Sequence, residues 1–147
     1  MKKIYIACDH AALHMKNDII GYLNGKGYDV DDLGPYTPDS VDYPEYAQKV
    51  CKEVVSDKGS LGILICGTGI GMSIAANKIK GIRAAAVSEV FSATMTRKHN
   101  DANVLCFGAR VIGIETAKML VDAFIETEYE GQRHQRRVDM ITKLEEN

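Results

Sequence analysis

The 147-residue sequence has no tryptophan, only three prolines, and no stretch near the roughly 20 apolar residues that a membrane-crossing helix needs. The apolar run after its two leading lysines stops at Asp9-His10, too short for the core of a signal peptide. Its four cysteines (Cys8, Cys51, Cys66, Cys106) show no CxxC pair, so neither a disulfide framework nor a structural zinc site is expected. A cytoplasmic protein with free thiols follows from these absences. A net charge of −2 leaves no dominant basic surface, which argues against nucleic acid as a partner. The one dense basic cluster, Arg133, Arg136 and Arg137, is sized for a single phosphate. Neither a repeat nor a linker interrupts the chain, so residues 1–147 read as one domain.

What is present is an alternation. An apolar, β-branched run at Lys3–Cys8 predicts a buried strand and Leu61–Cys66 a second strong one, with further strands at Tyr28–Val30, Arg83–Val87 and Asn103–Phe107. Between and after them, helical spacing covers Ala11–Gly25, Pro44–Val55 (with Asp42 as a cap), Gly69–Lys80, Ser88–Asn100, Ile114–Glu126 and Arg133–Glu145. Strands that are apolar throughout and separated by helices predict a parallel sheet covered on both faces, a Rossmann-like α/β three-layer sandwich. Strand order is not readable from the pattern; for five strands 2-1-3-4-5 is the common arrangement. Residues from about 129 onward form a C-terminal helical arm.

Ligands of such sheets bind beyond the C-terminal strand ends. That rule selects Asp9-His10, the segment Cys66-Gly67-Thr68-Gly69-Ile70-Gly71, Ser88 and Gly108-Ala109-Arg110. The glycines let the backbone turn tightly, and the helix that follows aims free N–H groups at an anion or a developing oxyanion. A cysteine at the head of such a turn is expected to favour its thiolate. The turn is neither a dinucleotide fingerprint, because Met72 stands where a third glycine belongs, nor a P-loop, because GK[ST] is missing. His99-Asn100, at the end of a helix, fits either a capping pair or a site pair. Arg133 and Arg137 share one helix face, fitting either a solvated surface or a phosphate. A helix after the fifth strand runs back along the sheet, so the arm begins roughly 17 Å from its own strand tips. Its arginines more easily reach the site of a neighbouring subunit.

Taken together, Asp9-His10, Asp42-Tyr43-Pro44, CGTGIGMSIAANK (66–78), RKHNDANVLCFGAR (97–110) and EGQRHQRRV (130–138) resemble ribose-5-phosphate isomerase type B. The wider family includes isomerases of allose 6-phosphate and galactose 6-phosphate. The resemblance spans nearly the whole chain and implies a homodimer with shared active sites, the dimers pairing into tetramers in one variant of this reading. It also implies an enediol reaction on a sugar phosphate with no cofactor and no metal. Cys66 would be the base, His99 would open the sugar ring, and Thr68 would assist. Asp9, His10, Tyr43, Gly67, Gly69, Ile70, Gly71, Asn100, Arg110, Arg133 and Arg137 would hold the substrate. One branch of the family uses a glutamate from the glycine loop in place of the cysteine; here the loop offers Ile70-Gly71-Met72, and Cys66 is present. A hexose 6-phosphate substrate and a non-catalytic nucleotide-binding module are the alternatives.

Overall fold

The computed structural model describes residues 1–146. Five strands, β1 (Lys3–Cys8), β2 (Asp29–Asp32), β3 (Leu61–Cys66), β4 (Ala84–Ala86) and β5 (Val104–Gly108), form one parallel sheet. Six helices accompany them: α1 (Leu13–Gly25), α2 (Tyr43–Ser56), α3 (Ile70–Ala76), α4 (Val90–Asn100), α5 (Ile114–Glu126) and α6 (Arg133–Lys143). No helix among the described residues is long and apolar enough to cross a membrane.

Side chains alternate across a strand, so a strand buried on both sides feeds two cores. Ile4, Ile6, Ile63, Ile65, Leu105 and Phe107 point to one face, where Ile19 and Leu23 of α1, Ala93 of α4 and Leu120 and Phe124 of α5 meet them. Tyr5, Ala7, Leu64, Cys66, Val104 and Cys106 point to the other, against Val50 and Val54 of α2 and Met72 of α3. The three layers follow from this alternation. The α2 layer presses closely on Gly62: a Cβ there would lie 2.8 Å from Val50 Cγ1 and 3.2 Å from both Val54 Cγ2 and Val104 Cγ2.

The strand order is β2-β1-β3-β5-β4, so the expected 2-1-3-4-5 arrangement is corrected at its far end. The reason is burial. All five residues of β5 are buried, as a central strand requires, whereas β4 is three alanines that are partly exposed. A short, poorly covered strand belongs at an edge. Element limits also shift. β2 lies one residue later at its start and ends at Asp32, and α3 stops at Ala76 rather than Lys80. Glu89 caps α4 from outside, accepting the Ser92 N–H at 2.9 Å, instead of lying in its first turn. Asp42 precedes α2 without a side-chain capping bond, and α1 is preceded by a 3-10 turn over His10–Ala12.

Adding one methyl at Gly62 overpacks the α2 face. Gly62→Ala should therefore lose about 1–3 kcal/mol, read from denaturant unfolding; an unchanged midpoint would contradict the packing described.

Candidate active site

The crevice lies between the tips of β1 and β3, where α1 and α3 leave on opposite faces. The Asp9 N–H donates to Ile65 O at 3.0 Å, so the two tips are tied by backbone. Asp9 then turns the chain: its carboxylate accepts the Ala11 N–H at 2.9 Å and caps the 3-10 turn. His10 is exposed beside it. Its Nδ1 accepts the Val41 N–H at 3.2 Å, which leaves Nε2 to carry the proton of the neutral ring.

After Cys66 the chain must turn at once, because it lies pressed on the end of β5. Gly69 has φ +83°, and a Cβ there would stand 2.7 Å from Phe107 Cα. A Cβ on Gly108 would stand 2.5 Å from Gly67 O. Both positions therefore need glycine, one for conformation and contact, the other for contact alone. The reward is a fixed sulfur: the Gly69 N–H donates to Cys66 Sγ at 3.0 Å. Thr68 is exposed, and its Oγ1 accepts the Ile70 N–H at 3.2 Å. The Ala109 N–H and Arg110 N–H donate to Cys66 O (2.8 Å) and Gly67 O (3.0 Å), zipping the β5 loop to the glycine turn. Arg110 lays its guanidinium over Gly67, with Nη1 3.3 Å from where a Cβ would be. The Tyr43 ring covers Gly71 in the same way, with Cε1 at 2.7 Å.

The four thiols are free, and their surroundings differ. Burial pushes the Cys8 and Cys51 thiols up to about 12 and the Cys106 thiol well above its ordinary value. Cys66 is 5% exposed, at the rim of the α2–α3 core, and alone has a backbone donor on its sulfur. An N–H aimed at sulfur stabilises the charge that a thiolate would carry.

The remaining residues singled out in the sequence stand elsewhere. Arg83, just before β4, donates from Nε to Asn100 O and Asp101 O, both at 3.0 Å. His99 and Asn100 therefore lie at the edge where strands begin, while Cys66 pairs with Gly108 where they end. The length of β5 between those edges is on the order of 13 Å. The arm joins the same edge. Glu130 N–H donates to Lys98 O at 3.1 Å, and His134 stacks on His99 with ring centroids 4.3 Å apart and planes 15° apart. Arg133 and Arg137 follow on the exposed face of α6, Arg137 Nη1 donating to Arg133 O at 3.3 Å. The arm thus starts out packed on α4 of its own chain, and Val138 is buried there. Two cavities, of about 800 and 610 Å³, also open at the strand-start edge; Asn100, Ile141 and Leu144 line the larger, and Cys66 lines neither.

The candidate residues form two sets, then. Asp9, His10, Tyr43, Cys66, the Gly67–Gly71 turn and Arg110 gather at the strand tips. His99, Asn100, Arg133 and Arg137 gather at the base. Sequence reasoning missed Glu130 and His134 of the base set, although the spacing E-x-x-x-H was there to be read. Burial first, and then His99 and Arg133, hold the His134 imidazole below its ordinary value, with Glu130 pulling the other way.

A doubly wound sheet that presents a thiol and a glycine turn at its switch point is an α/β architecture that places ligands at its strand tips. The chain belongs to the family described as Ribose/Galactose Isomerase, whose pattern it matches over residues 4–141. It is 51% identical to ribose-5-phosphate isomerase B of Escherichia coli strain K12, over 99% of this chain and 98% of that one. Its fold superposes on ribose-5-phosphate isomerase B of Clostridium thermocellum with a TM-score of 0.96, at 45% identity, covering 98% and 97% of the two chains. The Mycoplasma genitalium isomerase solved with bound ribulose-5-phosphate gives a TM-score of 0.93 at 44% identity, covering 99% and 97%.

The thiol environments predict an order of reaction. Brief alkylation of the native protein should label Cys66 first, with Cys8, Cys51 and Cys106 protected until unfolding, as peptide mass spectrometry would read. Earlier labelling of any of those three would contradict the arrangement.

Proposed function

We propose that the chain interconverts ribose 5-phosphate and ribulose 5-phosphate through an enediolate, with Cys66 as the base and sites shared between two copies. The observation that carries the reading is the Gly69 N–H held 3.0 Å from Cys66 Sγ at a strand tip, beside three thiols that burial keeps protonated. Relatives of this chain carry the name of that activity over essentially their full length.

Moving a proton between C1 and C2 of a sugar requires an open chain, a base and a home for the oxyanion. The thiolate of Cys66 takes the C2 proton of ribose 5-phosphate, leaving the electron pair delocalised onto O1; within the enediolate the O2 hydroxyl proton passes to O1, and the thiol then returns its proton to C1 as the C2 carbonyl forms. The turn supplies the oxyanion donors. Gly69 N–H serves the sulfur and Ile70 N–H serves Thr68, which leaves the Gly67, Thr68 and Gly71 N–H groups, without a partner among the described residues, and the Thr68 hydroxyl. Donors of this kind are typically worth about 3–4 kcal/mol in the barrier. His99 opens the furanose, because an imidazole can both give and take protons at neutral pH. Asp9, His10 and Tyr43 border the sugar, with Gly67, Gly69 and Ile70 forming the turn beneath it.

The phosphate carries about −1.5 to −2 charges, which suits arginine forks. Arg133 and Arg137 of a second copy hold it, Asn100 of the same copy lies near, and His10 and Arg110 close the other side. Separation of the tip and base sets by a strand length supports this sharing. So do the exposed apolar residues beside the tip set, Ile70 (56%), Ile74 (59%) and Phe91 (72%), which a dimer would cover. Cytoplasmic residence and a homodimer, with either dimers or tetramers as the final assembly, belong to the same reading, and a ribose 5-phosphate isomerase would serve pentose phosphate metabolism. The family description also names galactose, so a hexose 6-phosphate is the second reading of the substrate.

Cys66→Ala should lower kcat by at least about a thousandfold while binding of the sugar phosphate persists; full turnover in this variant would remove the base assignment. His99→Asn should cost more on cyclic ribose 5-phosphate than on an open-chain analogue, and equal losses would refute ring opening. Mixing Cys66→Ala with Arg137→Ala protein should restore part of the activity, since one of the two composite sites in a mixed dimer is intact. No recovery, with subunit exchange verified, would place each site within one chain. Comparing kcat/KM for ribose, allose and galactose phosphates decides the substrate.

A further inference from the structure

The base set holds a cluster of which the reaction above uses only His99. His99 at the end of α4, Glu130 in the connection to the arm and His134 in the first turn of α6 each offer one donor atom, all within 4.8 Å of one another. Glu130 Oε2 is 3.8 Å from His134 Nε2. Two imidazoles and one carboxylate are the donor set of zinc sites that keep a fourth position open, and imidazole also suits copper and nickel.

Backbone brings the three together. The Glu130 N–H bond to Lys98 O pins the connection on the last turn of α4, one residue from His99. The stack then fixes the two rings side by side. Bonds of about 2.0–2.2 Å place donors on the order of 3.3 Å apart around a tetrahedral ion, so binding draws the cluster inward and splays the stacked rings. Glu130, whose side chain is 49% exposed, is the ligand free to close. Arg133 and Arg137, the cations that bear on His134, oppose a metal ion. The site is therefore one of moderate affinity, suited to reversible occupation.

We propose that His99, Glu130 and His134 bind a divalent transition-metal ion of the zinc class, and that the bound ion inhibits isomerisation by occupying the imidazole of His99. The inhibitory part rests on the ring-opening role given to His99 above; the binding part does not.

Binding is read without turnover. In Cys66→Ala protein, which removes the reactive thiol as a competing ligand, zinc should compete with a chromophoric chelator at one ion per chain. Adding Glu130→Gln, or His134→Ala, should weaken that binding at least about tenfold, with the circular dichroism spectrum unchanged. Absence of one-to-one binding, or equal affinity in both variants, overturns the site. Activity is read separately. Zinc should inhibit the unmodified enzyme on cyclic substrate, chelator should reverse it, and Glu130→Gln should need at least about ten times more zinc. Equal inhibition of Glu130→Gln places the ion elsewhere and overturns the proposal. A protein that binds zinc as described but shows no isomerisation even with chelator would indicate failure of the functional reading instead.

Discussion

The contact on which the rest of the site depends is between two backbones. The turn after β3 rests on the end of β5 so closely that neither Gly69 nor Gly108 has room for a Cβ. That contact explains several features together. It forces φ positive at Gly69, and this rotates the Gly69 N–H back towards Cys66 Sγ. It starts α3 at Ile70, so the free amides of the first turn open onto the same crevice. It also requires β5, rather than β4, beside β3, because β5 carries the glycine. Strand order and thiol chemistry share one cause.

The separation of the tip and base sets follows from equally general rules. Helices in a parallel sheet run against the strands they connect, so the residue ending α4 lies at the base however the loop is built. His99 and Asn100 are there for that reason, and the arm reaches them directly from the end of α5. Association of two copies is the economical way to unite a thiol at one edge with imidazole and arginines at the other. It would also cover apolar side chains that the single chain leaves in water, a contribution of about 25 cal/mol per Å².

The sequence made the alternation of elements plain, because β1, β3 and β5 are apolar runs and the helices have a polar face; β2, Asp-Val-Asp-Asp and partly exposed, is the exception. β1, β3 and α5 match their expected limits residue for residue. Strand order did not emerge from the pattern, which reports how buried a segment is but not which segment lies next to it. The composition of β4 and β5 held the clue: AAA is a poor central strand, and VLCFG a good one. Among site residues, Cys66 and its glycines were legible since so few other roles explain them together. Glu130 and His134 were not, because a histidine among arginines on an exposed helix looks like any solvated face until α4 is placed beneath it. Lys16 was hidden by its type. It shares a helical face with Ile19 and Leu23, yet a lysine at such a position is ordinarily exposed.

Lys16 shows how far from the thiol the crevice is determined. Fully buried, it would be costly without partners, and it has them: Nζ donates to Asp32 Oδ1 at 2.6 Å and to Pro35 O at 2.7 Å. The same Asp32 oxygen accepts the Gly34 N–H at 2.9 Å, and Gly34 O accepts the Cys8 N–H at 3.1 Å. One buried cation therefore gathers the end of β2, the loop after it and the tip of β1. The loop leads on to Val41, whose N–H fixes the ring of His10, and to Tyr43, whose ring covers Gly71. Removing one partner from such a group strands a charge in the core. The far wall of the crevice is thus held by electrostatics that burial makes strong, while the near wall is held by backbone contact alone. Each wall is rigid for its own reason, and the sulfur sits on the second.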